Sequence, residues 1–592
     1  MNSDVHLVWT SAPRRTAQVH LPDGRTFEAP VGTRLEHYLR CALGDAPVPF
    51  IAALVNGELR ELSYKVWTDG AVEPLFLSDS DGIRIYRRSL SFLLITVVGE
   101  LFPEASVFVD HSLPFGGFFC EVVGRDPFSE GELAEIESRM HEIVDADFPI
   151  GRERVALGEA TEIFRQRGET DKVKLLSCRE KDTLTLYRLR DSRGFFHGYM
   201  VPSTGYLKYF TLHKWLPGFV LQYPRRSNPT KLVPIHDHPQ LTSVFREYGE
   251  RLRLLGVASV SGLNEAADTG RIREIILVSE ALHEQRIAHI ADRVIQQGRA
   301  RLVLIAGPSA SGKTTFSKRL SVQLLGQGVR PFALALDDYF VDRDRTPRDA
   351  DGNYDFEVLE ALDVALFNHH LQALMRGEEV QLPRFNFHTG RRAKGEKVQL
   401  GPDYVIIVEG IHGLNPELVA GVSHERVYRI YVSALTQLNI DRHNRVPTTD
   451  TRLIRRIVRD ATYRGYTAED TLRHWEMVRR GEKEFIFPYQ EHADIMFNSA
   501  LVYELAVLRR LAEPLLLQVK PSSVHRVEVK RLLALLQWFK PCGPELIPDN
   551  SILREFVGGS ILRDYAPMIG RFPSDEPVSG LRRAGDAGSP VS

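Results

Sequence analysis

The chain has 592 residues, with 75 Lys and Arg against 77 Asp and Glu, so a uniformly basic surface for nucleic acid is excluded and several domains are expected. Its four cysteines, Cys41, Cys120, Cys178 and Cys542, lie far apart without a CxxC pair, which excludes a disulfide framework and a zinc ribbon and fits a reducing, cytoplasmic setting. No apolar run approaches the length of a membrane span, and residues 1–15 carry no apolar core of a secretion signal.

Residues 16–78 read as a small β-rich domain. Ala17 to Leu21 alternates, Pro22-Asp23-Gly24 turns the chain, and Thr26 to Ala29 runs back as a hairpin. A short helix over Leu35–Cys41 follows, then strands at Ile51–Val55 and Ala71–Leu77 around the turn Asn56-Gly57. Hairpin, helix and strands in this order predict a β-grasp. The stretch VHLPDGRTFEAPVGT…PFIAALVNGELRELSYKVWTDGAVEPL resembles the TGS domain of threonyl-tRNA synthetases.

Residues 84–240 contain LFPEASVFVD, FSEGELAEIESRMHEIVDADFPIGRERV and VPSTGYLKYFTLHK, which resemble the α+β editing domain of the same synthetases. The resemblance implies metal ligands in the patterns HxxxH and CxxxH. Here those slots hold Arg88 and Phe92, then Phe196 and Met200, which cannot replace imidazole or thiolate. The expectation is a retained scaffold without its hydrolytic centre, put to binding, regulation or structure. The nearby Pro234-Ile235-His236-Asp237-His238 lacks further ligands and reads as a polar loop.

Residues 241–300 read as a helical linker that packs on the domain after it, with helices over Leu241–Leu255 and Ile272–Gln297 ending at Gly298. From residue 301 strands and helices alternate, which predicts an α/β fold with a parallel sheet covered by helices. Strands are expected at Leu302–Ala306, Phe332–Leu336, Val405–Val408 and Val427–Val432, and helices at Lys313–Leu325, Val358–Arg376 and Thr436–Tyr463.

Between the first strand and its helix lies Gly307-Pro308-Ser309-Ala310-Ser311-Gly312-Lys313-Thr314-Thr315, a P-loop pattern in the context that gives it meaning. Glycines let backbone N–H groups converge on phosphate, the helix N-terminus adds its dipole, Lys313 a mobile positive charge and Thr314 a hydroxyl for magnesium. The pattern predicts an ATP- or GTP-binding site. In such sheets ligands gather beyond the carboxyl ends of the strands, where Asp337 and Glu409 stand. Asp337 is a candidate base or metal partner, Asp338 a turn residue, and Glu409 the acid of a Walker B element. The basic run TRLIRRIVRDATYRG predicts a helical lid whose arginines clamp phosphoryl charge.

The ordered set GPSASGKTT, LDDYF, NYDFE…EALD, LPRFNFHTGRR, VIIVEGIHGL and RRIVRDATYRG, over 301–515, resembles the uridine/cytidine kinase branch of the P-loop kinases, with phosphoribulokinase more distant. The resemblance implies Lys313 on the phosphates and Thr314, Asp337 and Glu409 on Mg²⁺ or its waters. Asp337 would also activate the nucleoside 5′-hydroxyl. It implies Tyr354, Asp355, Phe385, Phe387, Arg392 and Arg456 at the acceptor, with Arg459 and Arg464 on the transferring charge. Phe385 replaces a family tyrosine, Gly390 a histidine and Tyr466 an arginine; Asn386 and His388 are candidates to compensate. The whole order resembles a bacterial group of long-form uridine kinases. That resemblance implies a nucleoside substrate, leaves a homo-oligomer open, and makes tRNA or a regulatory nucleotide a candidate ligand of the N-terminal half. Residues 516–572 are expected to form a helical appendage and 573–592 a disordered tail.

Overall fold

The structure, a computed structural model, describes residues 14–349, 352–386, 389–419 and 421–567. The expected tail at 573–592 lies outside the described residues. The chain begins with β1 (Thr16–His20), β2 (Thr26–Pro30), α1 (Leu35–Leu43), β3 (Phe50–Val55), β4 (Glu58–Glu61) and β5 (Gly70–Phe76). The strands form one sheet in the order β2-β1-β5-β3-β4, with β1 parallel to β5, the arrangement of a β-grasp. Alternation along β1 sends Ala17 and Val19 inward against Leu35, Tyr38 and Leu39 of α1.

Next come α2 (Ser80–Leu101), β6 (Ser106–Leu113), β7 (Gly117–Val123), α3 (Glu130–Asp145), β8 (Ile150–Ala156), α4 (Leu157–Gln166), α5 (Thr170–Ser177), β9 (Thr183–Leu189), β10 (Ser192–Gly194), β11 (Thr211–Trp215) and β12 (Gly218–Gln222). They build two antiparallel sheets, β10-β9-β8 and β11-β12-β7-β6. A reciprocal capping box between Ser129 and Glu132 starts α3. The slots that would carry metal ligands are filled by packing. Arg88 donates to the Tyr199 carbonyl at 2.6 Å, and the Phe92 ring lies 5.1 Å from that of Phe196.

Three helices come next, α6 (Pro239–Leu254), α7 (Val260–Asp268) and α8 (Ile272–Gln296). They are part of the globule, because Val260, Leu263, Ile275 and Ile290 share one apolar core with Phe316, Leu453, Leu505, Leu532 and Phe556, and Phe164 and Leu176 of the preceding part join the same core.

The remaining elements are β13 (Leu302–Ala306), α9 (Lys313–Gly326), β14 (Arg330–Ala335), α10 (Val364–Arg376), β15 (Val380–Asn386), β16 (Arg391–Val398), β17 (Tyr404–Glu409), β18 (Val427–Ser433), α11 (Thr448–Tyr463), α12 (Ala468–Gly481), β19 (Ile495–Asn498), α13 (Glu504–Leu517), α14 (Arg526–Leu536) and the single turn α15 (Arg554–Val557). Five strands form a wholly parallel sheet, β14-β17-β13-β18-β19, with β13 at its centre. β15 and β16 form a separate hairpin.

Three expected boundaries move. β14 stops at Ala335, and Leu336–Tyr339 is a tight helical turn. α10 starts at Val364 rather than Val358, because the Asp363 side chain accepts the Leu366 N–H and caps the helix there. α11 starts at Thr448 rather than Thr436. The preceding loop is claimed by the N-terminal half: Asn439 donates to the Val109 carbonyl at 3.0 Å and Asn444 to that of Phe195 at 3.0 Å. Arg442 pairs with Asp171 at 2.7 Å in the same loop.

Candidate functional site

β13 ends at the centre of the sheet and delivers the chain into the turn 307–312. A Cβ built at Gly307 would lie 1.9 Å from the Val432 carbonyl oxygen, so the loop rests directly on β18 and tolerates no side chain there. Gly312 precedes α9 with φ +83°, and Ala310 also adopts a left-handed φ of +58°. Such alternation turns successive N–H groups toward one concavity. Two carboxylates already meet this cradle. The Ser309 N–H donates to Glu482 at 3.1 Å, while the Thr315 N–H and hydroxyl donate to Glu555 at 3.1 and 2.9 Å. Ser311 is buried with its hydroxyl oxygen unpartnered. The Lys313 ammonium turns back to the Pro308 carbonyl at 3.3 Å.

On the opposite side the Thr314 hydroxyl donates to Glu409 at 3.1 Å. Glu409 closes β17, and desolvation by the surrounding protein pushes its pKa up to about 7 against the opposing pull of Lys313. Asp337, in the turn after β14, is exposed as a residue, yet the protein packed around its carboxyl raises its pKa too, with Lys313 and Arg464 acting the other way. Glu409, bonded to the Thr314 hydroxyl, and the exposed Asp337 present hard oxygen atoms at the ends of two neighbouring strands. The residues therefore fit a hard divalent cation, with Thr314, Asp337 and Glu409 as its candidate holders. Mg²⁺ bound there would neutralise charge on phosphate oxygens.

The arginines of α11 divide into two classes. Arg452 and Arg455 are buried and satisfied by Glu482 and Glu504, so they brace the cradle from behind. Arg456 reaches the Ser309 hydroxyl at 2.8 Å, at the mouth of the P-loop. Arg459 and Arg464 lie 3.1 and 3.5 Å from Asp460, which also faces Arg456 at 3.2 Å. Asp460 thus gathers three guanidinium groups into a fan over the loop, and Arg464 remains half exposed.

The acceptor-side residues are less uniform. Asp355 accepts the Glu357 N–H at 3.0 Å, and Tyr354 lies under the Arg348 guanidinium, 4.3 Å from the ring centre. Phe385 is buried in the core beside Phe340, with ring centres 5.7 Å apart, and its N–H donates to Asp338 at 3.1 Å. Arg392 is held by Asp363 at 3.0 Å. Phe387, like His388, lies outside the described residues. The sequence reading missed Glu482, Glu504, Glu555 and Glu357. Glu357 is pushed up to about 7 by burial, opposed by Arg456. Glu357 closes the motif NYDFE and could have been found there, whereas Glu482, Glu504 and Glu555 are brought in by packing between elements distant in sequence.

Residues 302–506 match the model of the Phosphoribulokinase / Uridine kinase family. The chain is also similar to the threonine–tRNA ligase of Halorhodospira halophila, 36% identical over 201 residues, covering 33% of this chain and 31% of that one. The corresponding ligase of Alkalilimnicola ehrlichii is 34% identical over 200 residues, with the same coverage. The chain thus spans about a third of the length of those ligases, and the likeness falls in the N-terminal half. Among solved structures, one described as a possible uridine kinase from Bacillus stearothermophilus is 24% identical, covering 36% of this chain and 98% of that one, with a TM-score of 0.23. The 302–506 region thus combines a parallel sheet, a P-loop after its central strand and a match to a kinase family model, and it is preceded by a part similar to threonine–tRNA ligases.

Proposed function

We propose that the chain transfers the γ-phosphoryl group of ATP to the 5′-hydroxyl of a nucleoside, uridine or cytidine first. The observation that carries this reading is the contact of Thr314 with Glu409, with Asp337 after the neighbouring strand and the charge of Lys313 acting on both carboxylates. Asp337 takes the proton as the hydroxyl oxygen forms its bond to phosphorus, and the bond to the β,γ-bridging oxygen breaks to release ADP. Lys313, Arg459 and Arg464 stabilise the charge on the transferring group and the leaving phosphates. Tyr354, Asp355 and Arg456 hold the acceptor. Purified protein with ATP, Mg²⁺ and a nucleoside panel is expected to yield a monophosphate, and Lys313→Ala and Asp337→Asn to abolish it. A panel without product, from protein that still binds ATP, would refute the acceptor assignment.

The burial of Phe385 favours a second reading, since the ring at the expected base-reading position serves the core. On that reading the acceptor is another small hydroxyl metabolite, such as a pentose phosphate, and an ATP-dependent phosphorylation screen of pooled metabolites separates the two. The N-terminal half, tied to the kinase loop by Asp171 and Arg442, is proposed to respond to tRNA or a nucleotide. Kinase rates of the full chain unaffected by added tRNA and nucleotides would sink that part.

A further inference from the structure

A second cleft, of about 840 Å³ including its open mouth, lies away from the P-loop where β6 and β7, the turn between β11 and β12, and α6 meet the loop after β18. Its walls include Phe119, Trp215 and Phe245. The His111 ring is stacked on Phe245, with centres 3.9 Å apart and planes 15° apart, and also faces Phe119 at 5.1 Å. Flat walls of this kind suit an aromatic ring.

Two polar atoms in the lining lack partners. Asp110 is shared between His111, at 2.8 Å, and the side-chain N–H of Gln437, at 3.3 Å. This leaves the Gln437 amide oxygen buried and unsatisfied on a residue that is 3% exposed. The Thr242 hydroxyl is likewise buried without a partner. Such atoms are costly unless something fills the space beside them. The charges around the cleft do not call for an anion: Asp110, Glu121 and Glu250 face Arg246 and Arg253, and Arg253 is already held by Glu121 at 2.6 Å. An uncharged ring with a donor on its edge would complement the Gln437 oxygen and Thr242 once these side chains turn toward it, while carboxylates at the mouth would accept hydroxyl groups.

We infer that this cleft is a binding site for an uncharged nucleoside, separate from the phosphoryl-transfer site. Its occupant touches the segment that leads to the arginine helix. Gln437 follows Thr436, whose hydroxyl bonds to Thr451 of α11 at 3.1 Å, and Asn439 of the same segment is bonded to β6.

The test is hydrogen–deuterium exchange of the full chain with adenosine, guanosine, cytidine or uridine, each beside its 5′-monophosphate. At least one nucleoside is expected to slow exchange in both 107–111 and 434–440, and to do so more strongly than its monophosphate. Thr242→Val and Gln437→Leu are each expected to weaken that effect about tenfold while exchange in 307–315 stays unchanged. Binding to the kinase cleft alone would appear around 307–315 and 354–357 instead, so failure here is distinguishable from failure of the kinase reading. The inference is overturned if all four nucleosides leave 107–111 and 434–440 unchanged, if the monophosphates protect better, or if Thr242→Val, whose shape is conserved, protects as the wild type does. Should Gln437→Leu lower Tm, Thr242→Val decides alone.

Discussion

Glu555 is the most direct test of how the P-loop is used. Its carboxylate accepts both the backbone N–H and the hydroxyl of Thr315, at 3.1 and 2.9 Å, in the first turn of the helix after the loop. An N–H in that place is where a nucleotide phosphate would bind, and a fixed carboxylate both occupies the donor and repels the newcomer. Hydrogen bonds to a charged group contribute about 1.5–3 kcal/mol, and nucleotide binding must displace them. Glu555→Gln keeps the side-chain shape and an acceptor but removes the charge, so about half of that opposition, ~1.4 kcal/mol, should vanish. The expected result is roughly tenfold tighter binding of ATP, read by calorimetric titration at fixed ionic strength. Glu555→Ala should give at least the same gain. Affinity that is unchanged or weaker, in variants whose Tm matches the wild type, would refute the argument that the carboxylate competes with phosphate.

Three further outcomes are expected. Glu504→Gln leaves Arg455, 0% exposed, without its counter-charge. Breaking a buried pair in this way costs ~3–5 kcal/mol and should lower Tm by about 10 °C in a thermal scan. Gly307→Ala places a methyl 1.9 Å from the Val432 oxygen, so the loop must lift from β18; unfolding in urea should show a loss of ~1–3 kcal/mol, and ATP binding should disappear. Asp171 is raised by burial, yet its hydrogen bonds and charge contact with Arg442 outweigh this and hold it below the usual carboxylate range. A lowered folded-state pKa adds stability that is present above the unfolded value near 4 and is lost as pH falls through the folded one. Asp171→Asn should therefore cost ~1.5–3 kcal/mol at pH 7, and the gap to wild type should close as pH falls below 4. A gap independent of pH would contradict the assignment.

How much of the molecule is legible in its sequence depends on how local each signal is. The apolar runs of β13, β17 and β18 and the glycines of 307–312 are decided within a few residues, and the sheet and its P-loop result from them. The sequence pattern predicts helix over residues 436–447, but the side-chain N–H groups of Asn439 and Asn444 and the Arg442 guanidinium go to carbonyls and a carboxylate from residues 109, 171 and 195, which no window around the segment contains. The basic helix illustrates the same limit inside the candidate site. Its five arginines look alike in sequence, yet buried Glu482 and Glu504 turn Arg452 and Arg455 into braces. Only Arg456, Arg459 and Arg464 fan out around Asp460. Phe385 was legible as an aromatic of the acceptor motif, but its direction depends on how β15 pairs with β16 and packs on Phe340.

The shared core has a consequence for how the molecule is made. Phe164, Ile275, Phe316 and Phe556 pack into one cluster although most of the chain separates the first from the last. Contacts this distant in sequence fold slowly and cannot close while the later partner is still being synthesised. The central sheet and its helices would emerge from the ribosome with part of their apolar surface open. Ile552, packed over Gly312, and Phe556 seal it last. Assembly of the phosphate cradle is thus the final act of folding rather than an early one, and a ribosome stalled before residue 552 should carry a nascent chain that chaperones bind and ATP does not.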